Sequence, residues 1–210
     1  MKWVSVIIIL LIIPSVSYAS FQQAYELYKK GKYYDAEKLL LREKELSPNN
    51  LDVYAVLGWC YYYTGRYSTA IEICEEGLKI NPNDTRFLTT IGRSFFEFKR
   101  YNEAIPYFER SIALNPSYAY NYYYLGRVYL DQGKYILAET AFSASINLQD
   151  DRYIFYRFRG EVYEKMANYR SSEDDYKKAL TLKPNDPKLK EALIRVISKQ
   201  TEQEIEFSSQ

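Results

Sequence analysis

The sequence predicts an all-α chain of five helix-turn-helix repeats closed by a C-terminal capping helix, and three observations carry that reading. Residue types recur at an interval of 34: Pro48, Pro82 and Pro116; Ala36, Ala70, Ala104 and Ala138; Gly58, Gly92, Gly126 and Gly160, with Ala24 in phase before them. Within a unit the apolar residues keep helical spacing, as Tyr54, Leu57, Gly58 and Tyr61 do at i, i+3, i+4 and i+7. Glycines (Gly31, Gly65 and Gly133, with Lys99 interrupting) and Asn-Pro or Ser-Pro pairs punctuate the helices at fixed places.

The first 19 residues stand outside the repeat. Lys2 precedes an apolar run from Trp3 to Ile13, Pro14 breaks it, and Ser17-Tyr18-Ala19 offers small residues where a signal peptidase reads. The run is shorter than the roughly 20 residues a spanning helix needs. Residues 1–19 are therefore expected to be a secretory signal peptide cleaved before Ser20. That makes the mature protein exported, to the periplasm and cell envelope or secreted. Membrane association is expected only if the signal stays uncleaved.

The repeats then follow as 20–50, 51–84, 85–118, 119–152 and 153–186. In the second, Gly65 ends the first helix, and Ala70, Cys74 and Gly77 share one side of the next. Asn81-Pro82 stops that helix, because proline disfavours the α conformation in the residue before it. Beyond the fifth repeat Asp186 can N-cap and Pro187 can open a capping helix over 187–200. Leu189, Leu193, Val196 and Ile197 give it one apolar stripe, with Lys190, Glu191, Arg195 and Lys199 expected in water. Residues 201–210 read as a flexible tail.

Composition narrows function. At 47% hydrophobic and 26% charged the chain is globular rather than disordered. Its net charge of +1, without long runs of one sign, gives no electrostatic footprint for nucleic acid. The absence of histidine removes histidine acid–base chemistry, Ser–His and Cys–His nucleophile pairs and the usual zinc sets. Neighbouring carboxylates such as Glu75-Glu76 and Asp174-Asp175 point about 100° apart on a helix and read as solvated faces. The chain is read as non-catalytic, with no cofactor and no metal site. Its 24 tyrosines suit half-exposed packing, where the ring is buried and the hydroxyl stays wet.

The units resemble the tetratricopeptide repeat, whose pattern is an aromatic, Leu-Gly, Tyr, Ala, an aromatic and Pro. Here it reads Tyr54, Leu57-Gly58, Tyr61, Ala70, Cys74, Pro82, then Leu88, Ile91-Gly92, Phe95, Ala104, Phe108, Pro116. Tyr122, Leu125-Gly126, Tyr129, Ala138 and Phe142 follow, and Tyr156, Gly160, Tyr163, Tyr176, Ala179 and Pro184 close the series. The resemblance implies a right-handed α-solenoid in which each hairpin leaves an apolar face that its neighbour covers. The departures gather late: Arg159 stands in the leucine column, Ser172 in the alanine column, Ala167 in the turn-glycine column and Asp150 where proline is due. The fifth hairpin is therefore expected to be the least tightly packed. Replacing Lys99 by Gly, which restores the family residue at an exposed turn, is expected to be close to neutral.

The resemblance also implies that first-helix positions off the packing face line a concave, peptide-binding groove. The candidates are Tyr25, Trp59, Arg93 and Arg127 in one column, ending at Glu161; Tyr62 and Phe96 one turn away; and Tyr123 and Arg157 on the other side. Interface anchors favour Trp, Tyr and Arg. A plainer role for the arginines is i,i+4 pairing, as in Arg93/Glu97, Arg127/Asp131 and Arg157/Glu161. The carboxylate clamp by which some family members bind chaperone C-termini is not matched, since Tyr25, Val56 and Thr90 occupy clamp positions in the first window. Cys60 and Cys74 lie in columns that bury a side chain and read as core thiols, with a disulfide the alternative in an oxidising compartment. The function expected is a protein–protein interaction scaffold binding a protein or peptide partner in the groove. Its rival is a structural subunit of an envelope assembly that self-associates through an uncapped first repeat.

Overall fold

The computed structural model describes residues 20–208, and among them all regular structure is helical. The signal-peptide segment lies outside the described residues. Helix α1 covers 20–29. It is followed by α2 (Tyr33–Leu46), α3 (Leu51–Tyr63), α4 (Tyr67–Ile80), α5 (Thr85–Glu97), α6 (Tyr101–Leu114), α7 (Ala119–Asp131), α8 (Tyr135–Leu148), α9 (Tyr153–Lys165), α10 (Tyr169–Leu182) and α11 (Pro187–Ser208). Consecutive helices form helix-turn-helix pairs, the all-α class that the 34-residue interval implies. The chain divides into two compact units, one up to Tyr107 and one from Phe108.

Each hairpin turns through one left-handed residue. Gly31, Gly65 and Gly133 have φ near +70°, and Lys99 and Ala167 occupy the same conformation at φ +57° and +56°. In the second hairpin Gly65 N–H donates to Tyr62 O and Arg66 N–H to Tyr61 O, the paired bonds that satisfy the last carbonyls of a helix. The same pair recurs at Lys99/Arg100 and Ala167/Asn168. Hydrogen bonding thus forces the backbone into this conformation even where the residue carries a Cβ.

In the first unit Ala24, Ala36 and Ala70 are fully buried, as is Ala104 on α6. A Cβ on Gly58 would meet Cys74 Sγ at 2.6 Å, and one on Gly77 would meet the Phe87 ring at 2.5 Å. These gaps let α3 close on α4, and α4 on α5. Charged groups then tie hairpin to hairpin. Arg66 forks onto Glu37 at 2.6 and 3.0 Å with its guanidinium 4.6 Å from the Tyr61 ring centre, and Lys44 reaches Glu76.

In the second unit Phe142, Phe155, Phe158, Tyr123 and Tyr176 form the core. Asn121, fully buried, donates to Ser111 Oγ at 2.8 Å, so its polar group is not orphaned. In the fifth hairpin, expected to be the least tightly packed, the departing residues Arg159 and Ser172 are each paired. Arg159 forks onto Asp175 with two 2.8 Å bonds and donates to Ser143, while Ser172 donates to Gly160 O at 2.7 Å. Odd residues thus answer one another across α9 and α10. The approach at Gly160 is the widest of the helical glycines described, a Cβ meeting Tyr176 at 3.1 Å.

The last helix differs from the sequence reading. It begins as expected, with Asp186 Oδ1 accepting from Lys188 N and Leu189 N. It then continues to Ser208, through the segment read as a tail. Leu189, Ala192 and Val196 make the buried face, while Ile197 is exposed. Arg195 and Lys199, expected in open water, instead hold Glu164 of α9 at 2.9 and 3.0 Å.

Lys99→Gly and Ala167→Gly should each stabilise the protein by about 0.5–1 kcal/mol, seen as a rise of a few degrees in thermal melts, because a left-handed residue with a Cβ is strained. The positive φ at Lys99 thus adds a small gain to the near-neutral outcome expected from restoring the family residue at an exposed turn. Arg159→Leu should cost about 3 kcal/mol by stranding buried Asp175, and adding Asp175→Leu should recover most of that. A single variant that melts like the wild type would show the pair to be unimportant.

Candidate protein-binding surfaces

The position that carries Tyr25 and Trp59 falls one residue after the buried Ala24 and Gly58, so it points off the packing face while remaining attached to it. Both side chains are half-buried. They line a cleft of about 270 Å³ with Phe21, Val56, Asp52 and Arg86. Rings continue away from it: Phe21 stacks on Tyr25 at 6.2 Å, Tyr25 on Tyr28 at 6.0 Å, and Tyr28 meets Trp59 at 5.5 Å. At the rim the Arg86 guanidinium is fixed between Asp84 and Asp52, its ends 2.6 and 2.5 Å from them. Those carboxylates raise its already high pKa, the Asp84 bonds most. The rim therefore holds one cation between two anions.

Arg93 of the same unit lies over an aromatic surface, its guanidinium carbon 4.0 Å from the Tyr62 ring centre and 5.5 Å from that of Tyr63. Tyr62 donates its hydroxyl to Glu97 at 3.0 Å. Cation–π stacking holds Arg93 in one orientation. Tyr62 and Phe96, read from the sequence as groove residues, are only 9% and 6% exposed. They pack on Tyr67 and Tyr101 at the start of the following helices, at 5.5 and 5.8 Å. Both belong to the hairpin core rather than to an open surface.

The second unit repeats this logic with other chemistry. Tyr123 is 7% exposed and sits among Phe142, Phe155 and Phe158, so it too is core. Arg127 donates to its hydroxyl at 3.0 Å and stacks on Phe158 at 4.2 Å. Burial outweighs that arginine and pushes the Tyr123 phenol up. Arg157, 4.8 Å from the Phe158 ring, borders a polar cleft of about 500 Å³ with Glu161, Glu164, Lys165, Arg195 and Lys199. The bonds from Arg195 hold the Glu164 carboxyl down at about 2, assisted by Lys199.

Cys60 and Cys74 are free and buried. Burial pushes the Cys60 thiol up to about 12 and that of Cys74 higher, so neither is a nucleophile near neutrality. Among the described residues no group of three or more His, Cys, Asp or Glu is placed to hold a metal ion. None of the described helices is long and apolar enough to cross a membrane.

Two columns escaped the sequence reading although the same 34-residue comparison contains them. Val53, Phe87, Asn121, Phe155 and Leu189 are all buried. Tyr33, Tyr67, Tyr101, Tyr135 and Tyr169 open the second helix of every hairpin. The tyrosine column accounts for part of the unusual tyrosine content.

Family models for the tetratricopeptide repeat match residues 89–146 and 156–186, and that of the anaphase-promoting complex, cyclosome, subunit 3 matches residues 30–111. The chain is a tetratricopeptide repeat protein. No curated protein sequence matches significantly. Among solved structures, a MamA protein shares 25% identity at TM-score 0.66, covering 82% of this chain and 94% of its own. The pilF protein of Pseudomonas aeruginosa shares 20% at TM-score 0.80, covering 91% and 87%. A thermophilic tetratricopeptide repeat protein of Thermus thermophilus shares 20% at TM-score 0.70, covering 88% and 99%. As a tetratricopeptide repeat protein the chain is a scaffold for protein–protein interaction.

Proposed function

We propose that the protein is a non-catalytic scaffold that binds an extended peptide or protein segment on its first unit, in the cell envelope or outside the cell. The observation that carries this is the Tyr25–Trp59 cleft. It is an aromatic-walled depression of about 270 Å³, below the size of a drug-like pocket and suited to one large side chain. A bound segment places an apolar or aromatic residue there. A carboxylate three to six residues further along reaches Arg93, which stacking already holds in place and which loses little freedom on binding. An extended chain rises ~3.3 Å per residue, so that interval spans the ~10 Å step between packed helices.

Peptides selected from a displayed library on the wild-type protein provide the test. Trp59→Ala should weaken a selected peptide by ~2 kcal/mol, about thirty-fold in Kd by calorimetry, at a temperature where circular dichroism shows the variant fully helical. Equal binding to wild type and Trp59→Ala would remove the cleft from consideration. Export is tested separately by mass analysis of native protein, with Ser20 the expected N-terminus. Retention of Lys2 would point to an anchored form.

A further inference from the structure

Helix α11 turns a second line of uncharged side chains, isoleucine and hydroxyl residues, away from the repeats it caps. Opposite the buried Leu189, Ala192 and Val196 run Ile194, Ser198, Thr201, Ile205 and Ser208, at alternating spacings of four and three. Ile194 is 66% and Ile205 61% exposed. A line of that period is the seam on which a second helix packs. A helix facing only water has no use for isoleucine at both ends of it.

Charge order identifies what covers the seam. The first half of α11 carries Lys188, Lys190, Arg195 and Lys199 against Glu191 on the helix and Glu164 of α9, which Arg195 and Lys199 share, and so stays net positive; the second half carries Glu202, Glu204 and Glu206 and no cation of its own. Cations near a helix N-terminus and anions near its C-terminus oppose the helix's own dipole. By itself the helix would be steadier with the reverse order. An antiparallel neighbour of the same sequence removes the conflict, because its acidic half lies beside the basic half. With a two-fold axis midway between residues 199 and 200, Ile194 of one copy faces Ile205 of the other and Ser198 faces Thr201. Arg195 then comes within a turn of Glu202. Parallel pairing would instead set cation beside cation.

We propose that α11 is a self-association surface on which two copies of this chain pair antiparallel along the Ile194–Ile205 seam, the basic half of each helix against the acidic half of the other. The inference stands independently of the cleft on the first unit. A single helix pair buries less than the standard interface, so the dimer is reversible at micromolar concentration, and its exposed charges make it salt-sensitive.

Sedimentation velocity of the mature chain tests this. Dimer should accumulate towards about 100 µM in low salt and recede as salt is raised about tenfold. The double variant Ile194→Glu, Ile205→Glu should lower the association constant at least tenfold, with helix content and melting temperature unchanged. Orientation is read by mixing two single variants, Ile194→Cys and Ile205→Cys. On oxidation a disulfide should join one to the other in preference to either with itself, while buried Cys60 and Cys74 stay unreacted. A wild-type chain that remains monomeric at that concentration overturns the proposal. So does a dimer that survives the double glutamate, or crosslinking of each variant mainly to itself.

Discussion

Two helices of a hairpin lie against each other here where one of them offers little or no side chain, glycine in the later hairpins and Ala24 in the first. At Gly58 and Gly126 an added Cβ would come within 2.6 and 2.8 Å of Cys74 and Phe142 across the hairpin, distances that real contacts do not reach. The alanines at 36, 70, 104 and 138, all fully buried, answer from the second helix. Because that approach is set by absent atoms, it cannot relax to admit larger ones without separating the helices. The large side chains opposite are fixed in turn: Phe142 and Tyr176 occupy the space that the glycines leave. Everything that faces outward is positioned by this close contact, including the residue that follows each glycine.

The fifth hairpin shows how far the constraint bends. With Arg159 in an apolar column and Ser172 in a small one, two polar groups enter a packed layer, and burying them unpaired would cost several kcal/mol. They are accommodated in one network, Arg159 with Asp175 and Ser143, and Ser172 with the Gly160 carbonyl. The slightly wider approach at Gly160 belongs to the same compromise. Burial pushes the Asp175 carboxyl up, yet the Arg159 fork favours its charged form. Such a network is more directional than aliphatic packing and ties α8, α9 and α10 together through Ser143, Arg159 and Asp175.

Fold class and helix pairing were legible in the sequence because they rest on residue size at a fixed interval, which a one-dimensional pattern records directly. The groove candidates were less so. Tyr62, Phe96 and Tyr123 lie off the face that contains Gly58, Gly92 and Gly126, and on a single helix such positions face outward. A helix inside a stack has packing partners on more than one side. The ring of Tyr67 or Tyr101, from the helix after the turn, closes over the very position that a single-helix view leaves open. The tail failed for a related reason. Residues 201–208 lack a continuous apolar face towards the repeats, but a helix already capped and packed at Leu189, Ala192 and Val196 extends at little cost once nucleated.

What distinguishes one repeat from another is concentrated at the residue after the small one. Tyr25, Trp59, Arg93, Arg127 and Glu161 are all half-buried although their chemistry differs completely. The burial stays constant while the chemistry varies, because the small residue before each of these side chains fixes how far its stem lies in the core. In Arg93 and Arg127 the holding is explicit, because the guanidinium groups lie over aromatic rings at 4.0 and 4.2 Å. A cation oriented in this way differs from a surface lysine: it keeps its charge, loses little entropy on engagement, and presents its donors in one plane. The aromatic content that looks excessive in the sequence thus serves two purposes, filling the spaces opposite small residues and seating cations such as Arg93 and Arg127.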